Sequence, residues 1–194
     1  MWWMILAMLY IAFDFNYFIR VAFTIATVAC SNRNLKMTDT ITTYGLCTTQ
    51  DIDMFIDHMN NARFLRELDF TRFHWYGRTA FWSAIKPLGG SAVQSSAMIR
   101  YRKKLPLFRP FRIETRLAWW DDKSLYFEHK FVTLFDDFVR AIAFSKQGVT
   151  GCDVRLAEIM DGFEECRDKP EQLEELRLWS QANEVSSQKL RKER

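Results

Sequence analysis

The chain has 194 residues, 48% apolar and 26% charged, with a net charge of +3 and with 17 Phe and 7 Trp among its aromatics. That is enough for one globular domain with an appendage, and for a sizeable core or an apolar ligand channel. The small net charge gives no argument for a nucleic-acid partner, and no RNA-binding, zinc-finger, Walker, G-x-G-x-x-G or G-x-S-x-G pattern occurs, which excludes nucleotide enzymes and serine hydrolases on other folds.

Cys30, Cys47, Cys152 and Cys166 form no CxxC pair, and His58, His74 and His129 are scattered. Neither a zinc site nor a dense disulfide framework is expected, so no metal is assigned. No N-x-S/T sequon is present, which disfavours a glycosylated, secreted domain.

The first element is the apolar run "MWWMILAMLYIAF", which continues past Asp14 and Asn16 to Ile19 before Arg20 stops it. Its length is close to the roughly 20 residues that span a bilayer. Trp2, Trp3, Tyr10 and Tyr17 suit a membrane interface. A cleaved signal, which would yield a secreted protein, wants a basic start and a small-residue cleavage site, and neither is clear. Arg20, Arg33 and Lys36 follow the run and place what comes after it in the cytosol. Residues 1–36 therefore read as a hydrophobic membrane anchor and connector, contacting membrane lipid, with residues 22–40 only weakly amphipathic.

Residues 37–151 read as the folded domain. "ITTYGLCTT" is β-branched and aromatic and predicts a first strand, which ends in a loop carrying Asp51 and Asp53. Helical spacing follows, with Phe64, Leu65 and Leu68 on one side and Arg63, Arg66 and Glu67 largely on the other. Asn60 or Asn61 sits at the N-cap, and the helix ends near Gly77.

After "KPLGGS" the period changes to two. Val93, Ser95, Ala97, Ile99 and Tyr101 share one strand face; Phe111, Ile113, Thr115, Leu117 and Trp119 oppose Arg112, Glu114 and Arg116 on the next. "DDKS" and "DD" turn the chain into "LYFEHKFVTL" and "FVRAIAFSKQ", giving at least four antiparallel strands with the long helix as cover. Residues 152–194 form a helical extension through "VRLAEIMDGFEE" and a helix opened by Pro170 that carries Leu173, Leu176, Leu178 and Trp179. "KLRKER" is a solvated end, or part of a cap or partner-docking segment.

The acid loop ending in "HMNNARFL", followed by one helix and a β-rich stretch, resembles the hotdog-fold acyl-CoA thioesterases of the 4-hydroxybenzoyl-CoA type, whose entry segment reads D-x-D-x-x-G-H-[VM]-N-N-x-x-[YF]-L. The resemblance implies an α+β hotdog fold, an antiparallel sheet wrapped around one central helix, and a homodimer with sites between subunits. It implies a fatty acyl-CoA or related thioester as substrate, with no other cofactor, and an anchored domain on the cytosolic side of the endoplasmic reticulum.

In this family a loop acid acts as general base or nucleophile while helix N-terminal amides polarise the carbonyl. The matching residues are Asp53, with Asp51 and Asp57 as further acids and His58 beside them. Asn60, Asn61 and Glu67 are placed at the substrate. The chain departs from the pattern at two points: Asp57 stands where Gly precedes His, and His58 follows Asp51 by seven residues rather than six. Counted back from His58, the two acid positions hold Ile52 and Met54, and only a one-residue bulge restores Asp51 and Asp53. Asp57 is the alternative base, and a hotdog protein that binds acyl groups or organises a membrane lipid complex without hydrolysis is the alternative function. Arg100, Arg102, Lys103 and Lys104 form either a solvated strand face or a contact for coenzyme A phosphates.

Overall fold

The computed structural model describes residues 2–4, 8, 10, 13–31 and 35–192. Much of the apolar run at 1–13 lies outside the described residues, and with it the hydrophobic helix expected there. The elements in chain order are α1 (Phe15–Cys30), β1 (Ile41–Leu46), α2 (Asn61–Arg78), α3 (Phe81–Ile85), β2 (Ser91–Tyr101), β3 (Pro110–Trp120), β4 (Ser124–Thr133), β5 (Val139–Thr150), α4 (Leu156–Asp161) and α5 (Glu174–Lys192). The five strands form one antiparallel sheet in the order β1-β3-β4-β5-β2. A strand, a long helix and four further strands are thus found in the expected order.

α2 lies across one face of this sheet. Near its start Phe64 and Leu68 meet Phe111, Ile113, Phe131 and Ala143. Near its end Trp75 meets Leu117, Trp120, Leu125 and Phe127. Each such buried side chain contributes about 1.5–3 kcal/mol. Between the two apolar clusters the contact becomes polar. Thr115 donates to the Thr71 hydroxyl at 3.1 Å, and His129 bridges Thr115 and Ser145, each at 2.9 Å.

Two bulges correct the strand faces read from alternation. In β2 the register shifts between Gln94 and Ser96, so Ala92 points toward the helix side before the bulge and Ile99 after it. In β3 it shifts between Leu117 and Trp119. Trp120 therefore enters the helix-side core, and Trp119, expected there, packs on the opposite face with Tyr126, Phe144, Leu176 and Trp179. An extra residue in one strand reverses every side chain beyond it.

α5 covers that opposite face through Leu176 and Trp179, which makes it a cap on the sheet. It starts at Glu174, four residues after Pro170, where the composition had placed its opening.

α1 is a docked element and not a connector. It packs along the side of α2 turned away from the sheet, with Tyr17 against Phe70 and the Arg20 guanidinium 4.2 Å over the Phe70 ring. Arg20 donates to both carboxylate oxygens of Glu67, at 2.6 and 2.5 Å, and Arg66 pairs with Asp14. Gly77 lets the helices close, since a Cβ there would lie 2.2 Å from a Val28 methyl. This explains why Glu67, assigned to a wet face, is only 4% exposed.

Full burial pushes the His129 imidazole down to about 3 from an ordinary 6.5. A folded-state value below the unfolded one favours the fold above pH 6.5, and the contribution is lost as pH falls toward 3. At pH 5 the loss amounts to about 2 kcal/mol. His129→Gln is therefore expected to reduce the drop in thermal midpoint between pH 7.5 and pH 5, measured by circular dichroism; an unchanged drop would count against it.

Candidate active site

The segment "DIDMFIDHMNNARFL" folds into a ribbon that ends on the first turn of α2. Ile52 bridges Met59, the Asp53 amide donates to the His58 carbonyl at 3.1 Å, and His58 bridges Pro106 in the β2–β3 connection. The Met59 amide donates to Leu105 O at 2.8 Å and the Asn60 amide to Asp51 O at 2.7 Å. The two arms of the ribbon are thereby bonded to each other, and the arm from Asp57 to Met59 is bonded to the segment Leu105–Leu107.

The extra residue relative to the family pattern is absorbed at the tip. The Ile56 amide closes a tight turn on Asp53 O at 3.2 Å, and Ile56 takes a left-handed φ of 59°. A β-branched residue is strained in that region, where glycine is the usual occupant. The turn leaves Asp53 beside His58.

Three of the expected site residues come together. Asp53 Oδ2 lies 3.3 Å from His58 Nε2, while His58 Nδ1 bonds Asp57 Oδ1, so the imidazole is held between two carboxylates. Lys104 takes the other oxygen of Asp57. These bonds from His58 and Lys104 hold the Asp57 carboxyl below its ordinary range. The ligand-capable atoms of Asp53, Asp57 and His58 lie within 4.8 Å of one another. Of the three, Asp53 has the simplest obligations: one oxygen accepts the Phe55 amide at 3.1 Å and the other faces His58.

Asn60 caps α2, its side chain accepting the Ala62 amide at 2.9 Å, and the Arg63 amide bonds Asn60 O at 2.9 Å. Among the described residues this leaves the Asn61 amide as the first-turn donor without a protein acceptor. Asn60 and Asn61 share with Asp53, Met54, Phe55 and His58 a cleft of about 250 Å³. The Tyr101 hydroxyl donates to Asn61 O at 2.8 Å and anchors this end of the helix to β2.

The other two candidates lie elsewhere. Asp51 is buried and accepts from the Thr48 amide at 3.0 Å and the Thr48 hydroxyl at 2.8 Å, a turn-forming role. Both oxygens of Glu67 are engaged by Arg20. The roles of Lys104 and Tyr101 had no local signal, because Tyr101 at the end of β2 and Lys104 just beyond it reach Asn61 and Asp57 from 40 residues or more away along the chain.

Residues 47–176 match the family model described as thioesterase-like superfamily. The chain belongs to that superfamily. It is 51% identical over 193 residues to Protein THEM6 of Drosophila melanogaster, covering 100% of this chain and 99% of the relative. Among solved structures it is similar to Escherichia coli YbaW at a TM-score of 0.58 and 18% identity, over 63% of this chain and 94% of that one. It is also similar to Slr0204, a 1,4-dihydroxy-2-naphthoyl-CoA thioesterase from Synechocystis, at a TM-score of 0.55 and 11% identity, over 68% and 100% of the two chains. The thioesterase-like domain thus has the hotdog fold anticipated from its entry motif, while α1 precedes the matched region.

Ile56→Gly is expected to relieve the left-handed strain and raise stability by about 0.5–1 kcal/mol, read as a higher denaturation midpoint. Asn60→Ala is expected to cost about 1 kcal/mol in the same measurement through loss of the cap.

Proposed function

We propose that this thioesterase-like protein is a membrane-associated acyl-CoA thioesterase that hydrolyses fatty acyl thioesters. The observation that carries the reading is the Asp53–His58 pair at the amino end of α2, 3.3 Å apart and facing the same cleft as Asn60 and Asn61. A thioester carbonyl seated at the Asn61 amide would place its developing oxyanion at the positive end of the helix. Asp53 takes a proton from water as the oxygen attacks the carbonyl carbon. The carbon–sulfur bond then breaks and the thiolate leaves with that proton, giving a carboxylic acid and free coenzyme A. His58, braced by Asp57 and Lys104, positions Asp53.

A coenzyme A thioester agrees with the naphthoyl-CoA substrate named for Slr0204. Support for a membrane site is the exposed apolar surface. Phe15, Phe18, Ile19 and Phe23 on α1 and Met54, Phe55 and Ile56 at the loop tip all face outward. Among the described residues no helix is long and apolar enough to cross a membrane, so α1 is assigned to lie in the interface plane. The cytosolic face of the endoplasmic reticulum is the proposed location. A homodimer is supported by β2, which ends the sheet and has only β5 beside it.

Full-length protein supplied with dodecanoyl- and palmitoyl-CoA should release thiol, and Asp53→Asn should lower kcat by at least about 100-fold. No release with acyl-CoA binding retained would favour the non-hydrolytic acyl binder instead; equal rates in parent and Asp53→Asn would remove Asp53 from the reaction. Replacing Phe18 and Phe23 together by Ser should reduce flotation with phosphatidylcholine vesicles. Protection of the domain from protease in intact microsomes would overturn the cytosolic placement.

A further inference from the structure

The far end of α2 lies away from the cleft at Asp53. A cavity of about 530 Å³ lies there among α1, α2 and the start of β2, within the size range of small-molecule sites. Its apolar wall includes Ile25, Val28, Phe73 and Trp82. Three lining side chains each carry a buried polar atom with no protein partner among the described residues: Arg72 Nη1, Tyr76 OH and Gln147 Nε2.

Buried donors left unsatisfied are costly, and three beside one cavity point to a ligand rich in acceptor oxygen. Arg72 is only 6% exposed, and among the described residues its ion pair is with Asp69 through Nη2. The Asp69 carboxylate is itself largely solvated, so it neutralises the buried guanidinium incompletely. Burial accordingly pulls Arg72 below its ordinary value in spite of Asp69, and it pushes the Tyr76 phenol up, so that the hydroxyl remains a donor. The site is separate from the cleft at Asp53: Arg72 follows Asn60 by about 18 Å of helix at 1.5 Å per residue. Part of its wall is α1, which lies outside the matched region 47–176.

We propose that this cavity binds a medium- to long-chain monocarboxylate, its carboxylate toward Arg72, Gln147 and Tyr76 and its tail along the apolar wall. Ile25, Phe73 and Val93 are exposed and line the way in. The proposal stands apart from the hydrolytic reading, since it requires nothing of Asp53 or His58.

The test uses the full-length protein in amphipol, titrated with carboxyl-labelled dodecanoate and followed by carbon NMR. One saturable bound carboxyl resonance per chain is expected. Arg72→Met should weaken binding by about tenfold or more, as loss of a charge-assisted hydrogen bond does. Ile25→Trp, a change on the exposed rim that fills the cavity and leaves the polar groups intact, should abolish the resonance. Asp53→Asn should leave it unchanged even where thiol release is lost, and dodecanol should compete about tenfold or more less well than dodecanoate. The proposal is overturned by no bound resonance in the parent, by binding undiminished in Ile25→Trp, by loss of binding in Asp53→Asn, or by equal competition from dodecanol.

Discussion

The burial of α2 on two opposite sides sets the position of everything functional in this molecule. The sheet takes Phe64, Leu68 and Trp75, and α1 takes the reverse side, where the paired Arg20 and Glu67 groups meet with two bonds. A carboxylate as buried as Glu67 is tolerable only with such a partner, because desolvation of a lone charge costs more than packing returns. The same constraint makes α1 part of the fold. This helix, which lies within the segment read as an anchor and connector, is bonded to the domain at Asp14 and Arg20 and packed at Val28.

The fixed helix gives the loop a fixed target. Asn60 caps it, the loop backbone is bonded to Asp51 on one side and Leu105 on the other, and the tip closes through Ile56 in a conformation that glycine would adopt at less cost. The bond from the Asp53 amide to the His58 carbonyl and the Ile52–Met59 bridge hold Asp53 near His58 despite the longer spacing. Charge is arranged with the same economy, since Lys104 and His58 occupy Asp57 and leave Asp53 as the acid turned to the cleft.

The middle of the helix–sheet contact is polar where a continuous apolar seam would have served stability alone. His129 is bonded on both ring nitrogens, to Thr115 and Ser145, and so ties together three adjacent strands, while its burial keeps it neutral. Arg72 nearby is not fully satisfied, and neither are Tyr76 and Gln147. The contrast between a closed polar network and an open one, a few ångströms of helix apart, marks the open one as a place for something other than protein.

The sequence by itself determined the strand–helix–four-strand order, a cap at Asn60 or Asn61 and the family, because each depends on local periodicity, turn chemistry or a contiguous motif such as "HMNNARFL". It also brought Asp53, Asp57 and His58 into one short segment. Tertiary structure alone decided which way Trp119 and Ile99 face, since a single bulged residue reverses the alternation beyond it and leaves no mark in composition. It decided that Glu67 pairs with Arg20 and that Lys104 reaches Asp57, because these partners are set by packing between distant segments. And it decided that Ile56 takes a left-handed conformation in the turn before His58, while the arm that follows is bonded to the distant Leu105 and Leu107.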